Sequence, residues 1–416
     1  MTDSERRWKI LILDSTSRYV SYDMGVNVAR ALKAQANCDV TSFKYKPYFD
    51  IGGASRTLTK LKKLLSDSEL VIWCADADYE FEIHQLHQAI GDKNFVIFFG
   101  DDELNFSKHN VYYAQIADLV LTASPMGVSR YKLYGIDSKL YYSSYAPIDL
   151  LDDLAGPYER DLAFVGGVKN KVGREVYIEH LARLFDLQIF GAGTRNGIIS
   201  RSQMEKIFRT TKINLSFTGV SIIGSHSSFP AIESRCKQIK GRCQEILLAG
   251  GFVLTEYVPG LEEIFEIGPG KHLDVFHNAD ELIEKINYYL IHERVRRETA
   301  SCGHRYAVGK FNEVIHWGEL LGDLTKISRR SEDYRLVFLD PIFKRGRSSF
   351  FLIRFLDFLL QGKLSQCLEC FRIWVRYPYL DLDVLRIEIK RFVLRRPRLK
   401  KIIGKVKRVK NIVVDS

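Results

Sequence analysis

The sequence predicts an α/β protein: two domains of alternating strands and helices in series, then a helical, basic extension. Three observations carry this reading. Short apolar runs recur along the first two-thirds of the chain, each separated from the next by a stretch with helical spacing. The alternation stops once, near Tyr145–Arg160, where prolines, a glycine and clustered acids intervene, and then it restarts. At 416 residues the chain is long for a single core. Short buried-type strands joined through helices form a parallel sheet covered on both faces. The predicted domains are residues 1–150, 151–325 and a helical extension, 326–416.

In the first domain the expected strands are Lys9–Asp14, Val40–Phe43, Leu70–Cys74, Phe95–Phe99, Leu119–Thr122 and Lys139–Tyr142. Helical stretches separate them at Gly25–Ala36, Leu58–Leu65, Glu82–Ile90, Val111–Ile116 and Gly127–Leu133. In the second domain the strands are Asp161–Val165, Leu187–Phe190, Ile213–Phe217 and Phe252–Thr255. Helices are expected at Arg174–Leu184, Ser202–Arg209, over most of Glu233–Leu248, at Leu261–Phe265 and at Asp280–His292. From about 326 onward the pattern is helix-like and aromatic-rich, with Pro397 as a break.

The net charge of +10 belongs to one end of the chain. Residues 386–416 hold twelve Lys or Arg against Glu388 and Asp415, so the rest is close to neutral. That removes most support for a nucleic-acid partner. Within 386–410 the cations alternate with Leu399, Ile402, Ile403, Val406 and Val409, a pattern suited to an anionic membrane surface, to a solvated tail or, third, to RNA contact, though no aromatic beyond Phe392 is interleaved. No apolar run is long enough to span a bilayer. Seven scattered cysteines and the lack of a signal peptide point to structural thiols in a reducing cytoplasm. Cys367-x-x-Cys370 has no second ligand pair at zinc spacing, so no metal is expected there.

The most informative stretch is 238–265. Lys240 and Arg242 are followed by Glu245, then by the Gly250–Gly251 break and a short apolar strand. The turn Pro259–Gly260 then opens Leu261, Glu262 and Glu263. Cations suit a diphosphate, a carboxylate suits ribose hydroxyls, and a helix start supplies backbone N–H groups. Taken alone, the glycine pair and the Pro-Gly turn are ordinary punctuation. The combination is more specific.

This block resembles the donor-binding domain of group 1 glycosyltransferases, and most nearly their spore-maturation-protein branch. The matching positions are Lys240, Arg242, Glu245, Gly250, Gly251, Leu254, Thr255, Glu256, Pro259, Leu261, Glu262, Glu263 and Phe265, continuing through Glu284–Leu290. Gln244 stands where the branch usually has Phe, and the likeness fades near His304–Asn312. The resemblance implies a GT-B fold of two facing Rossmann-like domains, with a nucleotide-sugar donor in the second and an acceptor in the first. It implies that Lys240 and Arg242 hold the diphosphate, that Glu245 holds the ribose, and that no metal or cofactor is needed. The larger retaining members carry two glutamates eight positions apart. Glu245 would be the second, but position 237 is a lysine.

Three further constellations follow strands. Gly166 and Gly167 end a strand and would let backbone approach a ligand closely. Asp101 and Asp102 end the fourth strand of the first domain, where open α/β sheets face their ligands. They are expected either to position the acceptor or take its hydroxyl proton, or simply to cap a turn. Gly191–Gly197 imitates a dinucleotide loop but has Asn196 where the third glycine belongs. The expected function is transfer of a sugar to a glycan or lipid-linked acceptor hydroxyl in envelope synthesis. The alternatives are an inactive scaffold of the same fold at a membrane surface and a nucleotide-sugar epimerase.

Overall fold

The computed structural model describes residues 7–15, 24–75, 79–100, 102–142, 151, 156–168, 174–219, 237–324, 341–380, 385, 389, 392 and 393. The first sheet contains β1 (Trp8–Asp14), β2 (Cys38–Lys44), β3 (Leu70–Ala75), β4 (Asn94–Phe99), β5 (Leu119–Thr122) and β6 (Ser138–Leu140). Every pair is parallel, in the order β2-β1-β3-β4-β5-β6. All positions of β3 are buried, as a strand covered on both faces requires. The connecting helices are α1 (Met24–Lys33), α2 (Tyr45–Leu65), α3 (Ile83–Ile90), α4 (Asp102–Asn105), α5 (Val111–Ala114) and α6 (Pro125–Leu133), with a π-turn over Phe106–Asn110.

The second sheet contains β7 (Arg160–Val165), β8 (Leu187–Phe190), β9 (Thr211–Ser216), β10 (Val253–Glu256) and β11 (Asp274–Phe276). It is again parallel, in the order β11-β10-β9-β7-β8. Its helices are α7 (Arg174–Leu184), α8 (Arg201–Arg209), α9 (Arg242–Leu248), α10 (Ala279–Ile291) and α11 (Glu293–Lys310). Ser200 and Gln203 form a reciprocal capping box at the start of α8. In both sheets the strand order reverses once, between β1 and β3 and between β7 and β9.

Several elements differ from expectation for identifiable reasons. Helix α2 starts well before Leu58 because its two parts are joined across Gly53, which takes φ 75° and breaks the helical spacing. The helix expected over Glu233–Leu248 begins only at Arg242. Lys237 instead bridges Gly219, and 233–236 lie outside the described residues. Leu261–Phe265 is a 3-10 turn of three residues, Leu261–Glu263. Helix α11 went unpredicted because its buried face includes Arg296, Thr299 and His304, so it shows little hydrophobic period.

The chain then returns to the first domain. Helix α12 (Glu313–Leu324) packs Trp317, Leu320, Leu321 and Leu324 into the cluster that holds β1 and α1. Arg30 grips both carboxylate oxygens of Glu313 through Nε and Nη2, at 2.9 and 2.7 Å. Helices α13 (Pro341–Leu360) and α14 (Leu364–Arg376) cover the opposite face, with Phe350, Phe351 and Phe358 around Phe49. Cys367 and Cys370 are buried in that same cluster. Apart from Ile389, Phe392 and Val393, the basic stretch 386–410 lies outside the described residues. Among the described residues no helix is long and apolar enough to cross a membrane.

Candidate functional site

Where strand order reverses between β7 and β9, the loops leaving their carboxyl ends diverge and open a crevice. Gly166 and Gly167 leave β7, and Phe217 and Thr218 leave β9. Arg174, the first residue of α7, joins the two sides. Its guanidinium donates to the carbonyl of Gly167 at 2.7 Å and to that of Phe217 at 3.0 Å. It also sits over the rings of Phe164 and Phe217. Burial lowers its pKa to about 10; Glu256 opposes that and the nearby charge of Arg242 adds to it. Its Nε has no hydrogen-bond partner among the described residues. A cation held this way is pre-oriented and short of an anion.

Beside it, Glu256 ends β10 and is buried. It accepts from the backbone N–H and hydroxyl of Thr218, at 3.0 and 2.9 Å, and pairs with Lys237 at 3.0 Å. Lys237 occupies the position of the missing first glutamate and here pairs with a carboxylate at the end of the neighbouring strand. Gly166 is required by packing, since a Cβ there would stand 2.8 Å from the Phe164 ring.

The 238–265 block divides in two. Lys240 donates to Gln238 Oε1 at 2.8 Å, and Gln238 donates to the carbonyl of Gly100, at the end of β4, at 3.2 Å. Lys240 therefore sits where the domains meet, and its charge reaches Glu103. Arg242 instead pairs with Glu245 at 2.6 Å and lies over Phe208 and against Met204, both on α8. Burial raises the Glu245 pKa, and Arg242 and Arg201 partly offset it. Gly260 takes φ 90° and abuts Pro125, where a Cβ would meet the proline ring at 2.9 Å. The carboxyl edges of the two sheets thus face each other.

Leu261 is buried while Glu262 and Glu263 are exposed. The expected backbone donors are partly spent. The N–H of Leu261 bonds the Val258 carbonyl and that of Glu263 bonds the Gly260 carbonyl, both at 3.2 Å. A Pro-Gly turn followed by acids reads as a helix start, but here it closes on itself within one turn.

In the first domain Asp101 lies outside the described residues. Asp102 is buried, and accepts from Asn110 at 2.7 Å, from the Tyr131 hydroxyl at 2.6 Å and from the Thr122 hydroxyl. Burial raises its pKa and those hydrogen bonds pull it back. It ties α4 to β5 and α6, and its oxygens face the interior. The next residue, Glu103, is differently placed. It is half-buried, bonded to Ser124, and its Oε2 has no partner among the described residues. Burial raises its pKa, while Lys240 lowers it from across the crevice. Arg174 and Glu103 are the residues that sequence reasoning missed. The only signals were a lone arginine opening a helix after the glycine pair, and a third acid after Asp101–Asp102. Among the described residues no group of three His, Cys, Asp or Glu is placed to hold a metal ion.

Residues 174–315 match the family described as glycosyl transferase-like, from Arg174 to the first turn of α12. No curated protein matches the sequence. Among solved structures, HepE of Anabaena in complex with UDP-glucose is 14% identical, with a TM-score of 0.54 over 77% of this chain and 100% of that one. A glycosyltransferase from Rickettsia africae is 14% identical, with a TM-score of 0.52 over 78% of this chain and 100% of its own. Sucrose-phosphate synthase from Thermosynechococcus elongatus is 11% identical, with a TM-score of 0.53 over 77% and 100%. Two facing parallel sheets of this kind are the GT-B fold. The chain thus has the GT-B fold, and residues 174–315 of its second domain are glycosyl transferase-like in sequence.

Proposed function

We propose that this protein moves a sugar from a nucleoside-diphosphate sugar to an acceptor hydroxyl, on a glycan or a lipid-linked carrier of the cell envelope, without a metal ion. The observation that carries this reading is Arg174 bridging the carbonyls of Gly167 and Phe217 at the strand-order reversal. An anionic diphosphate there would satisfy its unpartnered Nε–H and relieve its repulsion with Arg242. Lys240 stands on the acceptor side of the leaving group. Glu245, oriented by Arg242, is the ribose ligand, and Gly166 and Gly167 leave room for the diphosphate to approach. Gly260, Leu261, Glu262 and Glu263 wall the donor side. Glu103 faces the acceptor hydroxyl in place of Asp102, whose part is to hold α4 still; Asp101 precedes it. Stabilisation of the departing diphosphate and alignment of the acceptor supply the rate.

We place the chain in the spore-maturation branch, on the cytoplasmic side of a membrane that its basic stretch touches. HepE is in complex with UDP-glucose, which makes uridine donors the first to try. The experiment is release of nucleoside diphosphate from a panel of UDP- and GDP-sugars, with and without envelope acceptors. Acceptor-dependent release is expected. Lys237, where the resembled enzymes carry glutamate, favours a second reading: a binding protein that holds the donor without turnover. Saturable binding with no release from any donor would favour that reading over ours.

A further inference from the structure

We propose that the cavity between the C-terminal helices and the first domain binds an apolar molecule carrying a single acidic group, phosphate or carboxylate. The inference stands apart from sugar transfer and does not need it. The cavity holds about 550 Å³, within the range of small-ligand sites. Its apolar lining comes from three directions: Leu58 on α2, Phe81 just before α3, Phe343 and Phe351 on α13, and Ile373 on α14. Such a lining suits a hydrocarbon or aromatic body.

One wall is cationic. Lys344, Arg347 and Arg376 all line the cavity, and none makes an ion pair among the described residues. Lys344 lies over Tyr377 and Arg347 over Phe351, at 5.1 and 5.2 Å, which turns both toward the apolar body. The Nε of Arg347 has no hydrogen-bond partner among the described residues. Two acids, Glu80 and Glu82, also line the wall. Glu80 faces Arg354 at 3.8 Å, and Glu82 caps α3 by accepting from Gln85 N–H at 2.9 Å. His84 lines the rim. Burial lowers the pKa of Arg347; Glu82, Tyr113 and Tyr377 resist, and Arg376 lowers it again. An anion between Arg347 and Arg376 would relieve that repulsion. The same helix shows the contrast: Arg354, two turns on, is already paired with Asp50 at 2.7 Å.

The test is calorimetric titration of the full chain with farnesyl monophosphate. Farnesol supplies the body without the acid, and inorganic phosphate the acid without the body. Farnesyl monophosphate should bind saturably, and both controls at least about tenfold more weakly, as loss of a charge-assisted contact or of the buried body requires. Lys344→Gln with Arg376→Gln, both nearer the surface, should weaken binding by a similar factor and leave melting unchanged; Arg347→Gln should abolish it. Phosphatidylcholine vesicles with and without phosphatidate separate a membrane source from a free one. If the vesicle lipid is the ligand, phosphatidate binding falls in the same variants. Equal binding of farnesol and its phosphate, no binding of any probe, or binding untouched by the variants would overturn the proposal.

Discussion

Arg174 is the residue on which the site turns, because its charge is fixed by the fold itself. Two backbone carbonyls from loops far apart in sequence hold its fork, and it lies over the rings of Phe164 and Phe217. Replacing it with alanine should lower kcat/KM by about 100-fold or more, the cost of losing a charge-stabilising donor. Lysine should not rescue it, since an ammonium cannot bridge both carbonyls and still present a donor. The steady-state rates of Arg174→Ala and Arg174→Lys check this. Glu103 makes a second prediction at this scale. Its folded pKa lies above its unfolded one, so the folded chain holds the proton more tightly. Stability is then highest below the unfolded value and falls as pH rises through the folded one. Glu103→Gln should therefore raise the melting temperature at neutral pH while suppressing acceptor-dependent transfer. A lowered melting point with transfer intact would contradict its placement. At this scale the sequence was partly legible. Lys240 stood out by charge and spacing, but that Arg242 and Glu245 would pair with each other depends on Phe208 and Met204 of α8, which no local pattern links to them.

Elements were the most legible level, because parallel strands buried on both faces give plain apolar runs. The failures have physical causes. Helix α11 buries polar side chains that are satisfied inside: His304 bonds the Leu247 carbonyl at 2.9 Å, and Thr299 accepts from Gly270 N–H at 2.8 Å. The Gly250–Gly251 break, by contrast, is as local as it reads. A Cβ at Gly251 would sit 2.6 Å from the Phe208 carbonyl and 2.8 Å from the Asn214 amide nitrogen. Gly251→Ala should cost roughly 1–3 kcal/mol, measured by denaturant unfolding. Helix α12 offers a pH signature. His316 packs at a tilt against Tyr141, and burial, with Lys310 and Lys139 nearby, lowers its pKa to about 4. Between the unfolded value, near 6.5, and about 4 the unfolded chain binds a proton that the folded chain does not. That contribution to stability is complete above the upper value and is lost as pH falls through the window. The drop in melting temperature across it should be smaller in His316→Phe.

The whole molecule is built by a chain that leaves its first domain, forms the second and returns. The return was the least legible feature, since nothing local marks Phe350 or Cys370 as partners of Phe49 and α2. The described helices α13 and α14 are part of the first domain's core. Truncation after Leu324 would strip α13 and α14 from Phe49, Tyr79 and Tyr113 and expose that surface. The truncated chain should aggregate or bind a hydrophobic dye, where the full chain stays compact, as light scattering and dye fluorescence would report.

The central claim is that the strand-order reversal of the second sheet holds a diphosphate through Arg174. Calorimetric titration of wild type, Arg174→Ala and Lys240→Ala with UDP and with GDP addresses it most directly. At least one nucleotide should bind wild type saturably, and each variant, still folded by circular dichroism, should bind it roughly tenfold to a hundredfold more weakly. Failure of both nucleotides to bind, or binding by folded Arg174→Ala equal to wild type, would contradict the account.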